Sequence, residues 1–172
     1  FWINDAWLKI QSKRTNWHWM WAEGTGSLVA DANTVTLPAT VESIKRVSLG
    51  EGYLERLSFD EFADDYRVIS AGNPSVYTVR PDGILLFNAK PTTTKTVTYQ
   101  YYYVPTSLTT NTSIPGLPER YHMLIVYQAL MSYALFDEAP ELQRKAYDYF
   151  ESMLGDLHRD QLPAITAPVS LA

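Results

Sequence analysis

Four carboxylates crowd one short run, Asp60, Glu61, Asp64 and Asp65, and side chains of this type could offer oxygen ligands to a hard cation. Their order lacks the spacing and the central glycine of a calcium-binding loop, so they read as the solvated acidic face of a short helix. The histidines, His18, His122 and His158, fall on three separate elements, and no His-x-x-x-His or comparable pair exists to hold zinc or to act in acid–base catalysis. Cysteine is absent, which excludes disulfides, thiolate metal sites and a cysteine nucleophile. Neither a Gly-x-Ser-x-Gly elbow, nor a phosphate-binding glycine loop, nor a dinucleotide fingerprint occurs. Glycosidase carboxylates need not be close in sequence, and nothing here selects a pair. No catalytic, cofactor or metal site is assigned, and the chain reads as a non-enzymatic protein.

Aromatic side chains offer a second chemistry, stacking on sugar faces. Trp17, Trp19 and Trp21 alternate, and Tyr99, Tyr101, Tyr102 and Tyr103 crowd one later run. Aromatics at alternate strand positions more often build a core or an interface, which leaves a carbohydrate-binding β module as the rival reading. The net charge of -5 argues against a chain built to neutralise phosphates. Acidic residues between Asp137 and Asp160 suit either a plain solvated helix face or a conduit along which nucleic acid slides without being held. No stretch supplies the roughly 18–20 uncharged apolar residues of a membrane span, because Ser113–Phe136 contains Glu119, Arg120 and His122. The chain opens on Phe1 rather than on methionine, so further residues are expected upstream.

With 172 residues, 46% of them hydrophobic, the chain can bury a real core. Phe1–Arg14 places Ile3, Ala6, Trp7 and Ile10 at helical spacing, with Asn4, Asp5, Lys9 and Gln11 on other faces. The alternation from Trp17 to Trp21 predicts a strand with its tryptophans on one face, ended by Gly24 and Gly26. Short strands follow at Ser27–Ala30, Thr34–Leu37 and Ile44–Leu49, then a short helix at Phe59–Tyr66 with Ser58 as N-cap. Pro81, Asp82 and Gly83 join Val76–Arg80 to Ile84–Asn88 as a hairpin. Thr96–Val104 is a long strand that puts Val97, Tyr99, Tyr101 and Tyr103 on one face, and Pro105–Pro118 is a loop.

Pro118 then opens a helix that is apolar almost all round from Tyr121 to Phe136. Tyr121, Leu124, Ile125, Tyr127, Leu130 and Met131 mark it as a central core helix or as one buried between subunits. A final helix from Pro140 places Leu142, Ala146, Tyr149, Phe150, Met153 and Leu157 on one face, to pack as an antiparallel hairpin. From Leu162 to Ala172 no residue is charged and two prolines discourage helix, unlike a solvated tail. Such a segment suits a partner's groove. The expected fold is α+β: a helical body from residues 1–22 and 113–161, an inserted antiparallel β lobe at 23–112, and an extended tail at 162–172.

The order of these pieces resembles the head-to-tail adaptor, or head-completion, proteins of tailed bacteriophages. The residues that carry it are Ile3–Gln11 running into Trp17-His-Trp-Met-Trp, Val35-Thr-Leu-Pro, Ile44-Lys-Arg-Val, Gly72-Asn-Pro-Ser-Val-Tyr77, Gly83-Ile-Leu-Leu-Phe with Pro91, and Leu117-Pro118. The match spans nearly the whole chain, although each motif is structural rather than chemical. The resemblance implies a virion structural protein in the neck between capsid and tail, forming a homo-oligomeric ring, typically a dodecamer, under the portal protein. It implies tail or nozzle proteins as further partners, DNA passing through without sequence-specific binding, and no catalytic residues. Leu162, Pro163, Ile165, Pro168, Val169 and Leu171 are then the candidate portal-docking residues. Another tail or baseplate subunit is the nearest alternative.

Overall fold

Strands separate a first helix from a last pair of helices. The computed structural model describes residues 1–50, 52–110 and 112–162. Helix α1 (Trp2–Ser12) and a 3-10 turn (His18–Met20) precede β1 (Trp21–Leu28), β2 (Thr34–Thr36), β3 (Val41–Leu49), β4 (Gly52–Tyr53) and β5 (Glu55–Arg56). Next come α2 (Phe59–Asp65), β6 (Ser70–Ala71), β7 (Val76–Val79), β8 (Ile84–Phe87), β9 (Ala89–Lys90) and β10 (Lys95–Tyr103). A second 3-10 turn (Glu119–Tyr121), α3 (Met123–Phe136) and α4 (Pro140–Gln161) complete the α+β fold. Among the described residues, 1–20 and 105–162 belong to one compact unit, and 21–104 to the other.

In the helical unit, α3 packs against both α1 and α4. Helix α1 buries Ala6, Trp7, Ile10 and Gln11, whereas Ile3, expected on the same face, is 47% exposed. Gln11 is a correction: its amide is fully buried rather than solvated. Its Nε2 donates to the Thr106 carbonyl at 2.9 Å, and its Oε1 accepts from the Thr106 N–H at 3.0 Å. About two turns earlier, Asn4 Oδ1 accepts the Leu108 N–H at 2.7 Å. Two amide side chains of α1 thus supply the hydrogen bonds that an extended segment would otherwise take from a neighbouring strand. The Gln11 carbonyl also accepts from Trp17 Nε1 at 3.2 Å.

The alternation Trp17 to Trp21 is not a strand. The Met20 N–H bonds the Trp17 carbonyl at 3.0 Å, closing a tight turn in which the Trp17 and Trp19 rings stack at 4.4 Å, and β1 begins only at Trp21. Stacking this close suits a turn better than the wider spacing of same-face strand neighbours. The α3–α4 connection is short. Glu138 takes the left-handed conformation (φ 52°), and the Ala139 N–H returns to the Ala134 carbonyl at 2.9 Å, the six-to-one bond of a Schellman ending. Pro140 then stands in the first turn of α4, where it needs no N–H partner. Helix α4 buries Ala146, Phe150, Leu154 and Leu157, while Leu142 and Tyr149, expected on that face, stay exposed. The 4-4-3 stripe with a small residue at 146 allows closer helix approach than one led by Tyr149.

The second unit holds two four-stranded sheets, ordered β1-β10-β3-β4 and β2-β8-β7-β5, and the pair β6-β9. Most pairings are antiparallel as expected, but β5 with β7 and β6 with β9 are parallel. Inward residues of both large sheets share one core: Leu28, Val35, Ile44, Val47, Tyr77, Leu85, Phe87, Val97 and Tyr99. Gly24 and Gly26 do not end β1; they lie inside it. A Cβ at Gly24 would meet the Tyr99 ring at 2.7 Å, so the glycine lets that buried ring lie flat on its neighbour strand. Irregularities in the β10–β3 register at Gln100/Tyr101 and Tyr102/Tyr103 shift the alternation, so Tyr102 is buried while Tyr101 and Tyr103 are only half-buried. Helix α2 has a full capping box, and Gly83 (φ 78°) turns the β7–β8 hairpin.

Candidate assembly surfaces

The residues able to do chemistry are used for structure. Glu61 accepts from the Ser58 hydroxyl at 2.6 Å and, to lesser effect, from the Ser58 N–H at 3.1 Å, and these bonds hold its carboxyl below the usual range. Asp64 faces Arg67 at 3.7 Å. Among the described residues, no group of three or more acidic or histidine side chains could hold a metal ion. His122 Nε2 lies 3.0 Å from the Leu117 carbonyl, at the mouth of α3. His158 stacks on the fully buried Trp17 ring at 5.3 Å, and its Nε2 is buried without a hydrogen-bond partner. Burial, then the cations of Arg14 and Lys13, push the imidazole below its ordinary pKa, against a weaker pull from Glu151. Trp17, Tyr99 and Tyr102 are buried, Trp19, Tyr101 and Tyr103 are half-buried, and Trp21 is 42% exposed, so most of these aromatics pack within their units and do not form one continuous exposed face.

Helix α3 is the chemical outlier. Its sequence, Met-Leu-Ile-Val-Tyr-Gln-Ala-Leu-Met-Ser-Tyr-Ala-Leu-Phe, holds no charged residue, unlike the other three helices of the described chain. Of the residues marked in the sequence, Tyr121, Leu124 and Ile125 are buried, and Tyr127, Leu130 and Met131 are half-buried. Packing against α1 and α4 accounts for only part of the helix surface. Met123, Val126 and Tyr133 are 45%, 42% and 43% exposed, and at the C-terminal end Leu135 and Phe136 reach 69% and 75%. The first three went unmarked in the sequence because periodicity cannot say which sides of an all-apolar helix are covered. Their 3-4-3 spacing with Leu130 was the available signal.

The start of the α3 segment is tied to the end of α4. Arg120 pairs with Asp160, and Arg159 pairs with Asp156. The contact to Arg120, followed by the bond from Gln161, lowers the Asp160 pKa. The two ion pairs, with Tyr121 and Met153, line a cleft next to the last turn of α4. Leu162, half-buried, leaves that helix in an extended conformation with its N–H on the His158 carbonyl at 3.2 Å. Pro163, Ile165, Pro168, Val169 and Leu171 lie outside the described residues.

Helix α3 carries uncovered apolar side chains, Met123, Val126 and Tyr133. The family model described as SU10 adaptor protein matches residues 2–171. The chain belongs to that family. No curated protein matches it. The adaptor is accordingly a structural component of a bacteriophage virion, and the resemblance read from motif order is correct. No helix among the adaptor's described residues is long and apolar enough to cross a membrane.

Proposed function

We propose that this adaptor forms a homo-oligomeric, dodecameric ring in the neck, joining the portal protein to the tail and continuing the DNA channel. The observation that carries this reading is the family match over residues 2–171. The helical unit is the ring body, the β unit meets tail or nozzle proteins, and Leu162, Pro163, Ile165, Pro168, Val169 and Leu171 dock on the portal. The uncharged composition of 162–172 supports docking, since a free tail would be expected to carry solvating charge. DNA passes without being held: the net charge of -5 and the carboxylates along α4 favour a repelling channel wall. Removing Leu162–Ala172 should abolish attachment to portal-bearing heads while the thermal transition of the protein is unchanged. Undiminished attachment would refute portal docking by the tail. Particle reconstructions by electron microscopy test the ring, which must sit directly below the portal.

A further inference from the structure

We infer that, in the free subunit, residues 163–172 fold back along the groove between α3 and α4 of their own helical unit. The groove starts where the described chain stops. Asp160, Asp156, Met153 and Tyr149 follow one another at steps of four, three and four along α4, which puts them in one line. Arg120 and Tyr121 stand across the cleft from the Asp160 end of that line, Arg120 through its pair with Asp160. Towards the other end, Tyr127 of α3 stacks on Tyr149 at 5.4 Å. Tyr149 is 62% exposed and Met123, at the start of α3, 45%, so apolar walls are open to solvent. Leu162 leaves the foot of the line half-buried and in an extended conformation (ψ 148°).

Pattern, length and tether point to this occupant. Ile165, Ala167, Val169 and Leu171 stand at every second position with Thr166, Pro168 and Ser170 between them, so the segment, when extended, offers one apolar side and leaves the other to water. Pro163 and Pro168 keep it from continuing α4 as helix. Extended residues advance ~3.3 Å each and helical ones ~1.5 Å. Ile165 and Val169 therefore reach about 10 and 23 Å from Leu162, while Met153 and Tyr149 lie about 14 and 20 Å back along α4. Each apolar residue of the tail thus comes level with an apolar residue of the groove. A diffusing partner must supply its own concentration to so small a surface, whereas a tethered segment stands at roughly millimolar effective concentration at any dilution. A second copy is disfavoured further by its own net charge of -5. Portal docking by the tail, as proposed above, then requires it to leave this groove.

The absence of cysteine lets thiol pairs be introduced without background. Tyr149→Cys/Val169→Cys and Met153→Cys/Ile165→Cys place thiols at matched heights. Tyr147→Cys/Val169→Cys is the control, because Tyr147 is 53% exposed at nearly the same height on the opposite side of α4. Disulfide closure in the dilute whole chain, with oxidised glutathione as oxidant, is followed by non-reducing electrophoresis and peptide mass mapping. Both groove pairs should close within one chain at least about tenfold faster than the control. If the Met153 change disturbs folding, the Tyr149 pair decides alone. Equal rates in groove and control pairs would overturn the inference, as would disulfides formed only between chains, which would give the groove to a second copy. Attachment to portal-bearing heads by the closed Tyr149→Cys/Val169→Cys chain separates this contact from portal docking. A closed chain that attaches refutes docking by the tail, while the closure rates still establish the groove contact.

Discussion

Replacing Gln11 with methionine keeps the volume of a fully buried side chain and removes only its hydrogen-bonding groups. The Thr106 N–H and carbonyl, bonded to Gln11 at 3.0 and 2.9 Å, then lose these partners in a partly buried site. An orphaned buried polar group costs about 1–3 kcal/mol. Two such groups, partly reached by water, and the desolvation of the amide no longer required, give a net loss of about 2–4 kcal/mol. For a chain of this size, 1 kcal/mol shifts Tm by about 2–4 °C, so the midpoint should fall by roughly 4–16 °C. Urea unfolding with an unchanged m-value is the matching equilibrium assay. Gln11→Glu separates shape from bonding, since a carboxylate can accept from the Thr106 N–H but cannot donate to its carbonyl. Its deficit should be largest at neutral pH and shrink in acid, where a protonated carboxyl regains a donor. A loss under about 1 kcal/mol for Gln11→Met would refute the idea that this amide anchors the returning chain.

Two further outcomes follow from buried polar atoms. The Thr78 hydroxyl, on a residue 1% exposed in β7, has no hydrogen-bond partner; Thr78→Val should stabilise the protein by about 1 kcal/mol, and a lower Tm would contradict that environment. His158 is held below its ordinary value of 6.5 in the folded protein, so the unfolded chain takes the proton first as pH falls. Its stabilising contribution is therefore complete above about pH 6.5 and is lost as pH drops towards the folded pKa. His158→Phe keeps a ring on Trp17 and removes the titration, so the fall in Tm between about pH 7 and 5 should be shallower than in wild type. Parallel Tm profiles would show that the imidazole does not titrate in this stack.

Local chemistry made several elements legible before any coordinates. Ser58 as N-cap announced the start of α2, because a cap is satisfied within four neighbouring residues, and the structure adds the reciprocal bond from Glu61. Pro81, Asp82 and Gly83 announced the β7–β8 hairpin for the same reason. The tryptophan run misled, since alternation at 17, 19 and 21 also fits a tight turn whose rings stack, and sequence spacing does not distinguish the two. Gly24 looked like a chain break because its purpose, room for the Tyr99 ring, comes from a strand 75 positions away in sequence.

Residue types and their order were enough for the α+β sequence of elements, the absence of cysteine chemistry, the family resemblance and the neutrality of α3. These properties reside in residue types and short spacings, which folding does not alter. Tertiary structure alone decided that α4 presents Ala146, Phe150, Leu154 and Leu157 to the helical core and not Tyr149. It also decided that Gln11 is buried against Thr106, and that Met123, Val126 and Tyr133 are left uncovered on α3. An apolar helix can bury any of its sides, and a glutamine can face water or backbone. Which it does depends on the partners that the rest of the chain brings to it, and those partners lie far away in sequence.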